Sequence, residues 1–240
     1  MTKAVVVIPF RDKGDTARKA NLARVLTHLD SITDAGVIVV TDGFPDGPFN
    51  RSAAYNRGMA LAPADTDVFV FHEADMLIGH AALYDAIAEA QHQPGMVVPF
   101  SEYRYLSLED TIKVRDGEDP RNCTAEHVMA DCRSNGAVNV LSRTSLQMVG
   151  CWDETFSGWG FDDRAMARAF EVATGSPTRY ITANAYHLWH TPGWSVESRF
   201  KGGANIPPHE HAATIANESR YRRYKKARSP AQIRALTAGG

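Results

Sequence analysis

Residues 68–75 read Val-Phe-Val-Phe-His-Glu-Ala-Asp and contain the clearest indication of the fold class. A short unbroken apolar run of this kind is typical of a strand buried on both faces of a sheet. Two carboxylates, Glu73 and Asp75, follow where the predicted strand ends. Ligands of open α/β sheets bind beyond the carboxyl ends of the strands, so these acids mark the first candidate site. Because side chains alternate along a strand, one acid can face a hard cation while the other faces a different partner, although an ordinary turn would accommodate both.

Strand-like and helix-like patterns alternate on either side of this stretch. Alternation of this kind predicts an α/β fold with a mostly parallel central sheet flanked by helices. The predicted strands are 4–9, 37–40, 68–71 and 96–100, and the predicted helices run from Asp15-Thr16 to Leu29, from about Ser52 to Leu61 and near 80–92.

The second half of the chain is less regular. Residues 101–133 are polar and charged without a clear period, and we expect a partly mobile excursion there. Strands are predicted near 136–142 and 179–186, with a helix that begins after Asp162-Asp163 between them. Residues 191–210 are rich in glycine and proline, and a loop of this length is usually a functional lid or a disordered segment.

The composition is that of an ordinary folded protein. The chain has 240 residues, 26 Lys+Arg against 28 Asp+Glu for a net charge of −2, and 44% hydrophobic residues. These values allow one large domain or two small ones and exclude disordered, collagen-like and coiled-coil chains. No apolar run approaches the roughly 18 residues of a membrane span, and the apolar run near the amino terminus is too short for a signal peptide. Three scattered cysteines give neither a disulfide framework nor a zinc motif, so we expect a reducing, cytoplasmic location.

Positive charge is concentrated near the carboxyl end of the chain. Seven arginines and lysines lie between residues 220 and 234, interleaved with two tyrosines. Such a segment can contact nucleic acid, a membrane or another anionic surface, or it can simply be a solvated terminal helix.

Two further motifs carry metal-binding or acid–base chemistry. His187-x-x-His190 follows the last predicted strand, and a turn there would bring two imidazoles together. Imidazole with carboxylate suits Mn²⁺, Zn²⁺ or Fe²⁺, while carboxylate and phosphate oxygens favour Mn²⁺ or Mg²⁺. The alternative is that the two histidines are hydrogen-bonded within a loop.

The second motif is Gly158-Trp159-Gly160-Phe161-Asp162-Asp163, which precedes a predicted helix. Helix capping explains its two acids but not the Gly-Trp-Gly, and one acid could instead act as a general base.

Two cationic segments occur where predicted strands give way to helices. Residues 9–13 (Pro-Phe-Arg-Asp-Lys) and 49–51 (Phe-Asn-Arg) place cations near helix amino termini, a natural seat for a phosphate. Neither the P-loop motif nor the G-x-G-x-x-G fingerprint is present, which argues against ATP-hydrolysing P-loop enzymes and classical NAD-dependent enzymes.

In their order along the chain, these motifs resemble the β-1,4-galactosyltransferase family and its polypeptide N-acetylgalactosaminyltransferase relatives, which share the GT-A glycosyltransferase fold. The resemblance spans about residues 4–190, and its matching stretches are 8–11, 49–51 with Asn56-x-Gly58, 70–75, 135–142, 158–163 and 187–190. It implies a single GT-A catalytic domain over 1–215. This domain would have a Rossmann-like nucleotide-sugar half over about 1–100 and an acceptor half over 101–215, followed by a basic tail over 216–240.

The resemblance also implies an activity and the residues that perform it. The chain would be a hexosyltransferase that uses Mn²⁺ or Mg²⁺ and inverts the anomeric configuration. It would move a sugar from a nucleotide-diphosphate sugar, most simply a UDP-sugar, to an acceptor hydroxyl. Asp75, His187 and His190 would hold the metal, with His187 standing where the family has methionine. Asp163 would be the catalytic base and Asp162 would contact the sugars. The donor would be bound by Pro9, Phe10, Arg11, Lys13, Asp42, Phe49, Arg51, Glu73, Trp159 and Gly160.

The resemblance also implies two mobile lids, and the sequence differs from the family's motifs at three positions. Trp159 would belong to a mobile loop that closes over donor and acceptor, and 191–210 would form a second lid. Glu73 replaces the first aspartate of the metal motif, Phe161 replaces a glycine, and Arg164 replaces an acid.

Several alternatives stay open at the level of sequence. They are a retaining transferase of the same fold, a nucleotidyltransferase, and a non-catalytic module that binds nucleotide sugars or nucleic acid. The acceptor could be a glycan, a protein, a small molecule or a modified DNA base, and the basic segment 220–234 is compatible with nucleic-acid contact.

Overall fold

A computed structural model describes residues 3–12, 14–31, 36–130, 135–191 and 208–239. The strands in these ranges are β1 (Ala4–Pro9), β2 (Gly36–Val40), β3 (Val68–His72), β4 (Met76–Ile78), β5 (Val97–Val98), β6 (Glu102–Leu106), β7 (Ala125–Met129), β8 (Val138–Ser142), β9 (Arg179–Tyr180) and β10 (Asn184–His187). The helices are α1 (Thr16–Asp30), α2 (Arg51–Leu61), α3 (His80–His92), α4 (Leu108–Arg115), α5 (Arg143–Val149), α6 (Asp162–Thr174), α7 (Pro208–Lys226) and α8 (Pro230–Thr237).

The larger sheet has the strand order β2-β1-β3-β8-β5-β9. The β1–β2, β1–β3 and β5–β9 pairings are parallel, whereas β8 runs antiparallel to both β3 and β5. All five residues of β3 and of β8 are buried, in keeping with the apolar runs that predicted them. The predicted α/β fold class is therefore confirmed, with a central sheet that is mixed.

A smaller sheet has the order β4-β10-β6-β7 and lies at the carboxyl end of β3. The prediction of a single strand over 179–186 is wrong, because the chain changes sheets there: β9 joins the larger sheet and β10 the smaller one. In the smaller sheet, β10 pairs antiparallel with β4, which places His187 opposite Met76. This pairing places the histidine motif near the carboxyl end of β3.

The prediction of an irregular, partly mobile excursion over 101–133 is also wrong for the residues that the structure describes. The segment contains β6, α4, a short 3-10 turn (Pro120–Asn122) and β7. Its few inward side chains, among them Tyr103, Leu106 and Val114, are buried. Each element is short and buries at most two positions, so its period is hidden among charged, outward-facing residues.

The two helices that border the site begin at side-chain caps. Asp15 accepts hydrogen bonds from the backbone amides at the start of α1, and Asn50 does so for α2. Gly58 lets α2 lie directly on β1, because a Cβ at this position would overlap the side chain of Val7. The sequence predicts both helices, and both predictions are confirmed.

The basic carboxyl-terminal segment is helical and packs on the rest of the domain. Helix α7 contacts α6, and α8 contacts α5 and α6. Tyr224, Ile233 and Leu236 are buried in these contacts. The carboxylate of Asp153 is fully buried and accepts hydrogen bonds from Arg220 Nε at 2.7 Å and from the Tyr224 hydroxyl at 2.7 Å. Among the described helices, none combines the length and the apolar character needed to cross a membrane.

Candidate active site

Asp75, His187 and His190 form a compact triad just beyond the carboxyl end of β3. One ligand atom from each residue lies within 4.8 Å of the other two. His190 Nε2 is 3.2 Å from Asp75 Oδ2, and His187 Nε2 is 3.9 Å from Asp75 Oδ1. A backbone hydrogen bond of 2.8 Å from Leu188 N to Asp75 O joins the two segments. The structure thus brings together all three residues that the sequence analysis assigned to a metal.

The histidine segment is held from behind by α1 and α4. Asn21 is fully buried on α1 and donates from Nδ2 to the carbonyl oxygen of Trp189 at 3.1 Å. Arg115, at the end of α4, donates from Nε and Nη2 to Asn21 Oδ1 at 2.9 and 2.7 Å. The hydroxyl of Thr111 accepts from Trp189 N at 2.8 Å. These contacts fix the backbone from which both imidazoles project.

The electrostatics of the triad suit a divalent cation. Burial would raise the pKa of the Asp75 carboxyl, but the two imidazoles and the guanidinium of Arg18 hold it well below its usual range. For His190, burial alone would lower the pKa of the imidazole. The hydrogen bond from its ring to Asp75 outweighs this effect, and the net result is a raised pKa. His190 Nδ1 is 3.0 Å from the carbonyl oxygen of Thr191, and donation to that oxygen leaves Nε2 facing the carboxylate.

One observation tests whether these residues fit a metal. Asp75 Oδ1 is buried, and no group in the described part of the chain donates a hydrogen bond to it. A buried carboxylate oxygen without a donor is costly unless a cation occupies its lone pairs. Two imidazoles and one carboxylate within a few ångströms form a donor set that first-row divalent metals accept. The residues therefore fit Mn²⁺ or a similar ion.

Glu73 faces away from the triad and belongs to a second ionic cluster. Its carboxylate pairs with Arg51 Nη1. Arg51 also donates from Nε to Asp162 Oδ2 at 2.8 Å and from Nη1 to the carbonyl oxygen of Gly136 at 3.2 Å. Burial raises the pKa of Glu73 to about 7; Arg51 opposes this rise, and the neighbouring carboxylates add to it. The two acids of the metal motif thus have different partners, as the alternation of side chains predicts.

Asp163 lies beside this cluster at the start of α6. Its Oδ1 accepts a hydrogen bond from Arg164 N at 2.8 Å. Its Oδ2 lies close to Gly136, where a Cβ would come within 3.1 Å of it. Burial and the adjacent charge of Asp162 raise the pKa of Asp163, against the opposing effect of Arg51. A carboxylate whose pKa is raised toward neutrality is suited to accept a proton.

The cationic segments at the amino ends of α1 and α2 meet around a buried carboxylate, Asp42. Arg11 pairs with it through Nη2 and donates from Nε to Oδ1 at 3.1 Å, while Asn50 N donates to Oδ2 at 2.9 Å. The guanidinium of Arg11 lies 5.3 Å from the ring centroid of Phe49. Burial would raise the pKa of Asp42, but the bonds from Asn50 and Arg11 lower it. An open cleft of about 640 Å³ adjoins this cluster and is lined by Arg11, Asp12, Thr41, Gly43, Phe44, Pro45, Asp46 and Gly47.

The Gly-Trp-Gly motif forms a loop between this cleft and α7. Trp159 is 42% exposed, and its backbone carbonyl oxygen accepts a hydrogen bond from the Thr214 hydroxyl at 3.1 Å. Gly160 has a φ of 99°, and Phe161 has a φ of 70°, a left-handed conformation that is unfavourable for a residue with a Cβ. The Phe161 ring stacks on Tyr221 of α7 at 5.7 Å, and this contact helps to maintain the strained backbone.

Not every predicted donor-binding residue can be placed. Lys13 lies outside the described residues, as do residues 192–207 of the predicted second lid. Pro9 is the buried last residue of β1, and Phe10 N donates to the carbonyl oxygen of Val40 at 2.9 Å. These two residues therefore extend the sheet edge beneath Arg11.

Sequence reasoning missed the residues that support the triad and the ionic cluster. Arg18, Asn21 and Arg115 come from helices distant in sequence from His190. Gly136 lies in the matching stretch 135–142, but its contribution of a carbonyl oxygen to Arg51 was not predicted. The amphipathic pattern of α1 contained one signal, because Asn21 occupies a position on its buried face. A polar residue on such a face needs a specific partner.

No protein-family model matches the chain, and no curated protein matches its sequence. Solved structures match its fold. The catalytic domain of Drosophila β1,4-galactosyltransferase 7 in complex with xylobiose has a TM-score of 0.52 at 15% identity, over 88% of this chain and 84% of that chain. A mutant of that enzyme in complex with manganese, UDP-Gal and xylobiose has a TM-score of 0.51 at 15% identity, with the same coverage. GalNAc-T7 with UDP, GalNAc and Mn²⁺ has a TM-score of 0.56 at 13% identity, over 93% of this chain and 50% of that chain. The chain thus has the fold of GT-A glycosyltransferases, and the predicted resemblance is confirmed at the level of fold.

Proposed function

We propose that the protein is a metal-dependent glycosyltransferase that moves a hexose from a UDP-sugar to an acceptor hydroxyl. The observation that carries this proposal is the triad of Asp75, His187 and His190 at the carboxyl end of β3. The fold adds support, because matching structures of two glycosyltransferases hold manganese with UDP-Gal or with UDP. A cytoplasmic location remains a prediction from the cysteine content.

In this proposal the donor lies between two groups of residues. The uridine diphosphate is bound by the segment that ends in Arg11, together with Lys13, Asp42 and Phe49. Its sugar approaches the ionic cluster of Arg51 and Glu73 and is covered by the loop that contains Trp159 and Gly160. Pro9 and Phe10 form the floor of the nucleotide site. Asp75, His187 and His190 hold the metal, which supplies positive charge to the leaving diphosphate.

The remaining chemistry belongs to Asp163. Its carboxylate accepts the proton of the acceptor hydroxyl while the hydroxyl oxygen forms a bond to the anomeric carbon. The bond between that carbon and the phosphate oxygen breaks, and UDP leaves with the electron pair. Asp162, fixed by Arg51, contacts the sugars and orients the site. Attack from the face opposite the leaving group inverts the anomeric configuration, whereas a retaining transferase of the same fold would preserve it. NMR of the product distinguishes the two.

Metal-dependent binding tests the donor site. We expect calorimetry to show UDP binding with Mn²⁺ and none with EDTA. Asp75→Asn should weaken UDP binding at least about 100-fold, because it removes the anionic ligand of the triad. Glu109→Gln, at an exposed carboxylate on α4, is the matched control and should bind as the wild type does. UDP affinity that is insensitive to both EDTA and Asp75→Asn would refute the assignment.

Product analysis separates the other classes of function. A glycosyltransferase releases a nucleoside diphosphate from the donor, whereas a nucleotidyltransferase releases pyrophosphate. A binding module would show metal-dependent donor binding with no turnover in the presence of any acceptor.

The acceptor is proposed only by class, as a glycan, a protein, a small molecule or a modified DNA base. Contact with DNA can be tested on α7, where Arg222, Arg223 and Lys226 are exposed. Duplex DNA is titrated at two salt concentrations against the wild type and a variant with all three residues changed to Gln. Equal affinities would exclude the α7 face formed by Arg222, Arg223 and Lys226 from nucleic-acid binding.

A further inference from the structure

Arg18 is a cation that borders the triad and that neither the motifs nor the proposed roles include. It projects from the first turn of α1, and its Nη2 is 3.4 Å from His190 Nδ1. Its charge helps to lower the pKa of Asp75 and opposes the protonation of His190. The side chain is 46% exposed, so a bound molecule can reach it.

The guanidinium of Arg18 makes a weaker ion pair than those of Arg11 and Arg51. Arg11 and Arg51 make close ion pairs with Asp42, Glu73 and Asp162. In the described residues, the carboxylate that pairs with Arg18 is Asp15, and the Nε–Oδ2 distance is 4.0 Å, the limit of an ion pair. Asp15 is itself engaged as the cap of α1. The guanidinium of Arg18 therefore lies beside the triad with one weak ion pair in the described residues, and its half-exposed side chain is accessible to an anionic ligand.

The backbone beneath Arg18 is fixed relative to the triad. Asn21, one turn further along α1, is bonded both to the Trp189 carbonyl and to Arg115. The helix that carries Arg18 and the segment that carries His190 are thus joined by partly buried hydrogen bonds. The backbone that carries Arg18 is therefore held in place relative to the triad.

We propose that Arg18 binds the diphosphate of the donor and couples its binding to that of the metal. This inference rests on the proposed function and goes beyond it by assigning a new residue. A guanidinium beside an empty triad repels a divalent cation, so Arg18 disfavours metal binding alone. A diphosphate that contacts both neutralises this repulsion, and the planar N–H groups match phosphate oxygens. Metal and diphosphate therefore bind cooperatively, each increasing the affinity for the other.

The test measures three affinities by calorimetry: Mn²⁺ alone, and UDP and inorganic pyrophosphate, each in saturating Mn²⁺. In Arg18→Gln, we expect UDP and pyrophosphate to bind about 10- to 100-fold more weakly, since a charge-assisted bond is lost. The same variant should bind Mn²⁺ alone about two- to fivefold more tightly, since the repulsion is removed. Arg18→Lys should retain part of the diphosphate affinity. Arg222→Gln, at an exposed helical arginine that also pairs with a carboxylate on its own helix, should match the wild type in all three.

A loss of diphosphate affinity together with a gain in Mn²⁺ affinity distinguishes a binding role of Arg18 from a structural one. Damage to the His190 segment would weaken Mn²⁺ and both diphosphate ligands together, and that result in Arg18→Gln would overturn the inference. Unchanged UDP and pyrophosphate affinities in the variant would overturn it as well, while a wild type that binds UDP with Mn²⁺ would leave the proposed function standing. Failure of the wild type to bind either ligand with Mn²⁺ would overturn both.

Discussion

Asp162 and Asp163 are adjacent in sequence, yet their environments differ. Arg51 donates a hydrogen bond to Asp162 from Nε and forms an ion pair with it through Nη2, whereas the pKa of Asp163 is raised by burial and by the charge of Asp162. We expect Asp163→Asn to lower the rate of transfer about 10²- to 10⁴-fold and to leave UDP affinity unchanged. The thermal midpoint should not fall, because the variant removes a carboxylate whose ionised form is disfavoured by burial. UDP-release kinetics and calorimetry measure these effects.

Asp162→Asn provides the comparison for this prediction. It weakens the anchor of Arg51, so UDP affinity and rate should decline together. Turnover by Asp163→Asn at the wild-type rate would remove Asp163 from the mechanism.

His72 shows how burial at the end of β3 makes stability depend on pH. The side chain is fully buried, and Nδ1 lies 2.7 Å from the carbonyl oxygen of Glu73. Burial lowers the pKa of His72 to about 4, while the unfolded chain keeps a value near 6.5. As the pH falls from about 6.5 toward 4, His72 binds a proton in the unfolded state but stays neutral in the folded state. The free energy of unfolding therefore declines with acidification.

Replacing His72 isolates this effect. Between pH 7.5 and 5, we expect this residue to account for a loss of about 2 kcal/mol in the free energy of unfolding. His72→Asn keeps a donor for the Glu73 carbonyl and should reduce the pH dependence by that amount. The exposed His92→Asn should leave it as in the wild type. Urea denaturation at both pH values provides the measurement, and equal losses in His72→Asn and wild type would contradict the account.

At the scale of elements, the position of the triad depends on how α1 and α4 hold the end of β10. Asn21→Ala removes the oxygen that accepts from Arg115 Nε and Nη2 and the amide that donates to the Trp189 carbonyl, all in partly buried surroundings. We expect the free energy of unfolding to fall by about 1–3 kcal/mol and Mn²⁺-dependent UDP affinity to fall with it. Thr27→Ala, at an exposed position on the same helix, should change neither. If the Asn21→Ala variant is less stable but binds UDP as the wild type does, the hydrogen bonds of Asn21 and Arg115 do not position the histidines.

The same elements show what the sequence could predict. The apolar runs of β1 and β3 and the caps of α1 and α2 are local signals, so both the strands and the helices are predictable from them. The motif that ends in Asp75 identifies the triad region for the same reason. The Asn21–Arg115 bond joins residues 94 positions apart, and β4 is three residues long. Neither feature leaves a local pattern in the sequence. The Asn21–Arg115 bond and the smaller sheet are therefore visible only in the tertiary structure.

At the scale of the whole molecule, the carboxyl-terminal helices complete the domain in which the site is built. Asp153 is fully buried, and its Oδ2 is neutralised from α7 by Arg220 and hydrogen-bonded by Tyr224. Helix α7 also supports the Trp159 loop, since Asn217 Nδ2 donates to the carbonyl oxygen of Ser157 at 3.0 Å. The basic residues that suggest an accessory tail therefore lie on helices whose other faces belong to the core.

Truncation after Asn217 tests this arrangement. It would expose the apolar surface that Tyr224, Ile233 and Leu236 cover and would leave Asp153 buried without its cation. Removing one partner of a buried ion pair alone costs about 3–5 kcal/mol, and each large apolar side chain adds about 1.5–3 kcal/mol. Because typical domains are stable by only about 5–15 kcal/mol, we expect the truncated chain to be largely unfolded by circular dichroism.

The charge variant with Arg222, Arg223 and Lys226 changed to Gln provides the control for truncation. These side chains are exposed, so the variant should unfold at the same urea concentration as the wild type. A truncated chain with the wild-type midpoint would show that α7 and α8 are dispensable for folding. If the truncated chain is unfolded and the charge variant is stable, loss of DNA binding on truncation would report loss of the fold. Only the charge variant can then decide whether this face contacts a polyanionic acceptor.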